Sequence, residues 1–364
     1  MRVINTCHLV YLLVIMGSAA EFAHPGVMLS KTQLEYIREN ALSKNGGDVR
    51  AAYQKALLSP FGALDYKPSG PPDSGVIDCG SYSHPDHGCS DEDRDASTAY
   101  LQACVYVCAR SFRRPRHSCC VCVLAWIVFV HSPLLFLIAN YYQQALLFAI
   151  NSDPHHASNA KNILDLYATQ LQGYNNSNAP LQAAWSAMRY TKAAELLAHT
   201  TGANWPKHSQ QRLAEMLTRV SLPLYYRGSP ANGNWELSMI DAMMGISVLT
   251  DNRTLFDHAV AFWQSRVPAY FWTVSDGPAP RKCPRDHSIW NSSLCNPVTG
   301  WGCSGTYYGQ KILNGSTDGI CQETCRDFGH MSFGMASAHY AAETALIQGV
   351  DLWSQVKEFT HLLS

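Results

Sequence analysis

Apolar positions recur at helical spacing over most of the chain. A first helix is predicted to begin near Ser30 or Thr32, with Leu34, Ile37 and Leu42 on one face, and a second from Arg50 to Leu58. From Asn159 onward the same period repeats in Ile163, Leu164, Tyr167 and Leu171. It returns in Leu181, Trp185, Met188 and Ala194, and again in Leu213, Met216, Leu217 and Val220. Leu237, Ile240 and Met244 mark another helix, Phe256, Val260 and Trp263 the next, and a last one is expected from Phe328 to Gln348. Turn signals separate them, among them Gly173-Tyr174-Asn175 and Gly202-Ala203-Asn204 before Trp205-Pro206. Alternating strand patterns are scarce, so the expected fold is all-α. Successive helical hairpins packed side by side would make a bundle or an (α/α) toroid or incomplete barrel, with long ordered loops at Ser59 to Gly88 and Asp276 to Gly319.

Two stretches break this pattern. Arg2, the apolar run Leu9 to Met16 and the small residues Ser18, Ala19 and Ala20 follow the order of a secretory signal, with cleavage expected after Ala20. The second stretch, residues 103–144, opens with five cysteines and four arginines and turns apolar from Val121 to Ala139. Its flanks, Asp95 to Gln102 and Ala145 to Ile150, join into one uninterrupted amphipathic segment when it is removed. It therefore reads as translated intron sequence interrupting a single domain of residues 21–364. A membrane span with a basic flank and a Cys-rich loop are the alternatives. Zinc is poorly supported there, because Cys104, Cys108, Cys119, Cys120 and Cys122 form no paired CxxC pattern.

Composition sharpens the picture. The hydrophobic fraction of 47% over 364 residues can fill a large core, and excludes global disorder. Leaving out both stretches removes five of the 27 basic residues and none of the 28 acidic ones, so 22 remain against 28, about −6. No nucleic-acid partner is expected, and an acidic ligand has to be met by short-range contacts. Secretion would permit disulfides. Of the thirteen cysteines seven lie outside the two stretches, an odd number, with Cys79–Cys89 and Cys295–Cys303 the near neighbours that could pair. Secretion would also give meaning to the glycosylation sequons at Asn175, Asn252, Asn291 and Asn314.

Four constellations could carry chemistry. Asn232-Gly233-Asn234-Trp235-Glu236 sits where a loop enters a helix, and helix initiation is its simpler explanation. Gln322 to His330 brings Glu323, Arg326, Asp327 and His330 beside a helix start, where an ion-paired cap is the competing account. Gly305-Thr306-Tyr307-Tyr308-Gly309 offers phenols from a long loop, and Arg281 in Asp276 to Arg281 could meet a carboxylate. No phosphate loop, GxSxG elbow or HExxH motif is present.

Asn232 to Ala242, Arg266-Val267-Pro268-Ala269-Tyr270 and Cys321 to His330 resemble the alginate lyase domain superfamily of secreted polysaccharide lyases, closest to its branch of alginate and glucuronan lyases with an Asn-Trp-Glu helix start. The likeness spans roughly His24 to Gln102 and Ala145 to Trp353 and skips the atypical insertion. It implies an (α/α) toroid with a deep cleft and cleavage of 4-linked uronate polymers by β-elimination. Where relatives carry Asn-His, this chain has Asn234-Trp235, so their histidine base does not transfer to this position.

Elimination needs the sugar carboxylate neutralised, a base at C5 and an acid at O4. Asn234, Arg281, Arg326 or a protonated Glu236 would serve the first need. Tyr308, with Tyr307 as substitute, or His330 would serve the others, a cation lowering the phenol from its ordinary value near ~10. Asn232, Gln182, Trp185 and Glu323 are the remaining candidates for substrate contact, with core packing the competing account of Trp185. No cofactor or metal is expected. The partner is an acidic polysaccharide and the protein a monomer, with membrane association only if 121–139 is a true span. An inverting glycoside hydrolase using Glu236 with Glu323 or Asp327, or a non-catalytic carbohydrate-binding protein, are the competing functions.

Overall fold

The computed structural model describes residues 21–80, 88–99, 144–229, 233–277 and 319–355. Ten α-helices dominate these residues: α1 (Lys31–Leu42), α2 (Gly47–Leu58), α3 (Cys89–Ala99), α4 (Gln144–Asn151), α5 (Pro154–Gln170), α6 (Ala179–His199), α7 (Lys207–Met216), α8 (Gly233–Leu249), α9 (Arg253–Tyr270) and α10 (Phe328–Ile347). The protein is mostly helical, as the periodicity predicts.

The helix starts follow local chemistry. Ser30 caps α1 in a reciprocal capping box with Gln33, Asp153 and Asn252 cap α5 and α9 through their side chains, and Asp327 caps α10 by accepting from the His330 N–H. Ile37 is buried on α1, but Leu42 is 48% exposed and Ala41 takes its place in the core. Position 42 closes the last turn of α1, beside the C-cap Ser43.

Helix α8 is the hub, packed against α6, α9 and α10. Its Leu237, Met239, Ile240, Ala242, Met243, Met244, Ile246 and Val248 are buried all round, the pattern of a central helix rather than of an amphipathic one. Phe256, Phe262 and Trp263 of α9 and Ala338, Ala341, Ala342 and Ala345 of α10 close over it.

Three expectations are revised. Gly173-Tyr174-Asn175, read as a turn, is strand β2, paired in parallel with β1 (Val76–Asp78), so the long loop after α2 contains a strand. The acidic helix α3 begins at Cys89, ahead of the expected Asp95, and buries Glu92 and Asp95 completely. Gln144, assigned to the end of the insertion, belongs to the fold: its buried amide donates to the Phe61 and Ala63 carbonyls at 2.8 and 2.9 Å, and its oxygen meets His156 Nδ1 at 2.5 Å. The expected Cys79–Cys89 disulfide is present, with Cα atoms 5.9 Å apart, and ties β1 to the first turn of α3. Cys295 and Cys303, the signal segment and 121–139 lie outside the described residues; among those described, no helix is long and apolar enough to cross a membrane.

Candidate active site

The N-terminal ends of α8 and α10 come together, because the two helices pack along their length and Ser238 meets Ser337 across the contact at 3.2 Å. That convergence joins the first and second sequence constellations. Asn234, buried in the first turn of α8, places its Nδ2 2.8 Å from both oxygens of Glu323. The Tyr270 hydroxyl donates to Glu323 Oε2 at 2.9 Å, and Arg326 Nη1 donates to Oε1 at 2.7 Å. Arg326 Nε lies 3.9 Å from Asp327, whose other partner is His330 Nδ1 at 2.6 Å. Asn234, Glu323, Arg326, Asp327 and His330 therefore form one polar network.

Two glycines permit this closeness. A Cβ at Gly233 would collide with the Tyr270 ring and with Gln322 Oε1, which accepts from the Gly233 N–H at 2.8 Å, and a Cβ at Gly334 would collide with the Tyr270 hydroxyl. Burial, with Cys321 and Glu323 beside it, pushes the Tyr270 phenol well above its ordinary value, so it serves as a neutral donor.

Exposure divides the network by role. Glu323 and Asn234 are sealed, Arg326 keeps 12% of its side chain exposed and His330 keeps 42%. Burial works against the Asp327 carboxylate, yet the His330 N–H and imidazole hold it below its usual range. With Nδ1 committed to Asp327, the His330 Nε2 is the ring atom left to exchange a proton.

Glu236 is fully buried. Burial raises its carboxyl, while Arg266, 2.5 Å away on α9, and the Ser229 N–H at 3.2 Å oppose that. One oxygen accepts from the Ser229 N–H and the other lies against Arg266, yet burial outweighs both and leaves the carboxyl above its ordinary range. Gln182 is buried on α6, and its Nε2 donates toward Glu92, Asp93 and the Ser186 hydroxyl at 3.0, 3.3 and 3.2 Å. Trp185 is half-buried and stacks on Phe333, one turn past His330, with centroids 5.3 Å apart. Tyr307, Tyr308, Arg281 and Asn232 lie outside the described residues.

Sequence reasoning missed a second polar layer. Glu92 on α3 accepts from the hydroxyl of Tyr174 at 2.6 Å, and Asp93 pairs with Arg189 of α6 at 2.7 Å. Burial raises the Glu92 carboxyl to about 7. Lys192 of α6 and Asp241 of α8 form a buried pair at 2.6 Å, with the ammonium 4.7 Å from the Tyr340 ring centre. The one available signal was the helical spacing of Arg189 and Lys192 with the apolar face of α6.

A surface hollow of about 440 Å³, lined by Thr218, Pro223, Tyr226 and Arg227 among others, includes none of the candidate residues. The chain matches no family model, no curated protein and no solved structure.

Proposed function

We propose that the protein is a secreted polysaccharide lyase that cleaves 4-linked uronate chains, of the alginate or glucuronan kind, by β-elimination on an (α/α) toroid. The observation that carries the reading is the single network in which buried Asn234 and Glu323 hold Arg326 while Asp327 holds a half-exposed His330. The motif strings that resemble alginate lyases are the same strings that build this network.

The chemistry follows from the placement. Arg326, beside the positive N-terminal ends of α8 and α10, offsets the negative charge of the sugar carboxylate and so acidifies the C5 proton. His330 Nε2 takes that proton. The pair of the broken C5–H bond becomes the second bond of C4=C5, the C4–O4 bond breaks with its pair going to O4, and the departing O4 is protonated by Tyr308 or by its neighbour Tyr307. Trp185, Arg281 and Asn232 contribute to the subsites. No step requires a cofactor. Exposed Asn175 and Asn252, both in sequons, are compatible with a secreted glycoprotein.

A hydrolase would need an acid and a base from Glu236, Glu323 and Asp327. Each of these accepts from a charged or hydrogen-bonding partner, and the first two are sealed from solvent, which favours elimination. Mass spectrometry of polyuronate digests separates the alternatives. Lyase oligosaccharides are lighter by one water than hydrolase products of the same length, and a digest containing saturated products alone would reject the lyase. Binding without turnover would favour the carbohydrate-binding alternative.

A further inference from the structure

Away from this network, the residues that open the described chain fold back against the end of α6. His24 Nδ1 lies 3.2 and 3.0 Å from the two oxygens of Glu195, and His199 Nε2, one helical turn after Glu195, lies 3.8 Å from Oε1. The two imidazoles stack, with centroids 4.6 Å apart and planes 13° from parallel. Glu195 is almost wholly buried and also accepts from the Gly26 N–H at 2.9 Å. The carboxylate of Asp251, in the turn between α8 and α9, sits 3.2 Å from His24 Nε2.

We propose that His24, Glu195 and His199 form a binding site for a divalent transition-metal ion, zinc being the natural occupant by ligand type. Two imidazoles and a carboxylate are the donor set of many three-ligand zinc sites that leave a further position open. Zinc–ligand bonds of ~2.0–2.1 Å at tetrahedral angles put neighbouring donor atoms about 3.3 Å apart; here Glu195 Oε1 lies 3.2 Å from His24 Nδ1 and 3.8 Å from His199 Nε2, and the three donor atoms all fall within 4.8 Å of one another.

The surroundings are those of a supported metal ligand. Asp251 accepts from the far nitrogen of His24, which fixes the ring with Nδ1 turned inward, the arrangement by which outer carboxylates orient metal-bound histidines. The Gly26 N–H holds the Glu195 carboxylate in the same way. The side chains of His24 and His199 keep 20% and 32% exposure, which gives the ion a path from solvent and room for a water ligand. The ion would pin the strap of residues 21–29 to α6, an attachment made here by side chains 171 and 175 positions apart in sequence. Its role is structural and independent of the lyase chemistry.

Cobalt(II) titration of the full chain tests the site, because cobalt(II) reports its ligands by colour and the cysteines elsewhere can be told apart. Nitrogen–oxygen ligation gives visible d–d bands without the strong near-ultraviolet band of thiolate ligation. The expected result is one such cobalt per chain, displaced by zinc, and a thermal midpoint raised by saturating zinc. His199→Phe keeps the ring stack but removes a ligand, and His24→Gln removes another. Each is expected to lose the d–d bands and the zinc-dependent shift while keeping the parent's far-ultraviolet circular dichroism. A parent without these bands, or His199→Phe and His24→Gln proteins that retain them, would overturn the proposal. Bands of thiolate type alone would also overturn it.

Discussion

The His330–Asp327 contact gives the half-exposed imidazole of the network a defined orientation, because the carboxylate fixes which ring nitrogen faces away from it. His330→Ala is expected to lower kcat by about 10²–10⁴-fold without changing the unfolding midpoint, as removal of a positioned base does. An unchanged kcat would move the base role to Tyr308. Arg266 and Glu236 present the opposite case, a sealed pair whose worth is structural. Arg266→Met leaves a buried carboxylate without its cation and should cost about 3–5 kcal/mol in urea unfolding, whereas a loss below about 1 kcal/mol would contradict the pairing. These roles were only partly legible in the sequence. Glu323 and Arg326 stand three positions apart in the turn before α10, and their pairing could be weighed directly. Glu236 and Arg266 lie on different helices thirty positions apart, and no local pattern announces that contact.

Helix α3 shows what periodicity cannot supply. The run Asp91-Glu92-Asp93-Arg94-Asp95 has the composition of a solvated surface, yet Glu92 and Asp95 are sealed because the Tyr174, Tyr66 and Tyr167 hydroxyls and the Gln182 amide converge on them from other elements. Burial of Glu92 ties stability to pH. Below about 4.5 the carboxyl is protonated folded and unfolded alike. Between there and about 7 the folded protein keeps a proton that the unfolded chain loses, so stability falls as pH rises, by at most about 1.4 kcal/mol per unit, and levels off above. Glu92→Gln should remove this slope, seen as unfolding free energies of parent and variant that diverge between pH 5 and 7; parallel curves would show that Glu92 is ionised throughout. The Cys79–Cys89 bridge anchors the same helix to β1 and closes a loop ten residues long. Replacing both cysteines by serine should cost about 2–3 kcal/mol, read from denaturant midpoints. The helices themselves were legible, since α5 to α10 carry apolar positions at helical spacing with caps or turns between them. Strand β2 was not, because three residues are too few to alternate and their partner lies almost a hundred positions earlier.

At the scale of the molecule, one hydrophobic helix organises the rest. Because α8 is buried on every side, the elements around it must bring their polar groups to its ends or neutralise them against each other, as Asp241 and Lys192 do in its middle and Asn234 and Glu323 do at its start. The near-neutral to acidic charge balance leaves no broad basic face for an acidic polymer, so the proposed reading relies on a few local contacts. The atypical insertion interrupts the chain between α3 and α4, both of which pack within the same bundle, so the protein without it is expected to retain the fold. The most direct test of the account follows the ultraviolet absorbance of unsaturated uronate while that protein, and its His330→Ala and Tyr308→Phe variants, digest alginate and glucuronan. The account predicts a steady rise with at least one polymer for the parent, and a rate at least a hundredfold lower for His330→Ala. Chain shortening with flat absorbance, or a His330→Ala, Tyr308→Phe double variant as fast as the parent, would contradict it.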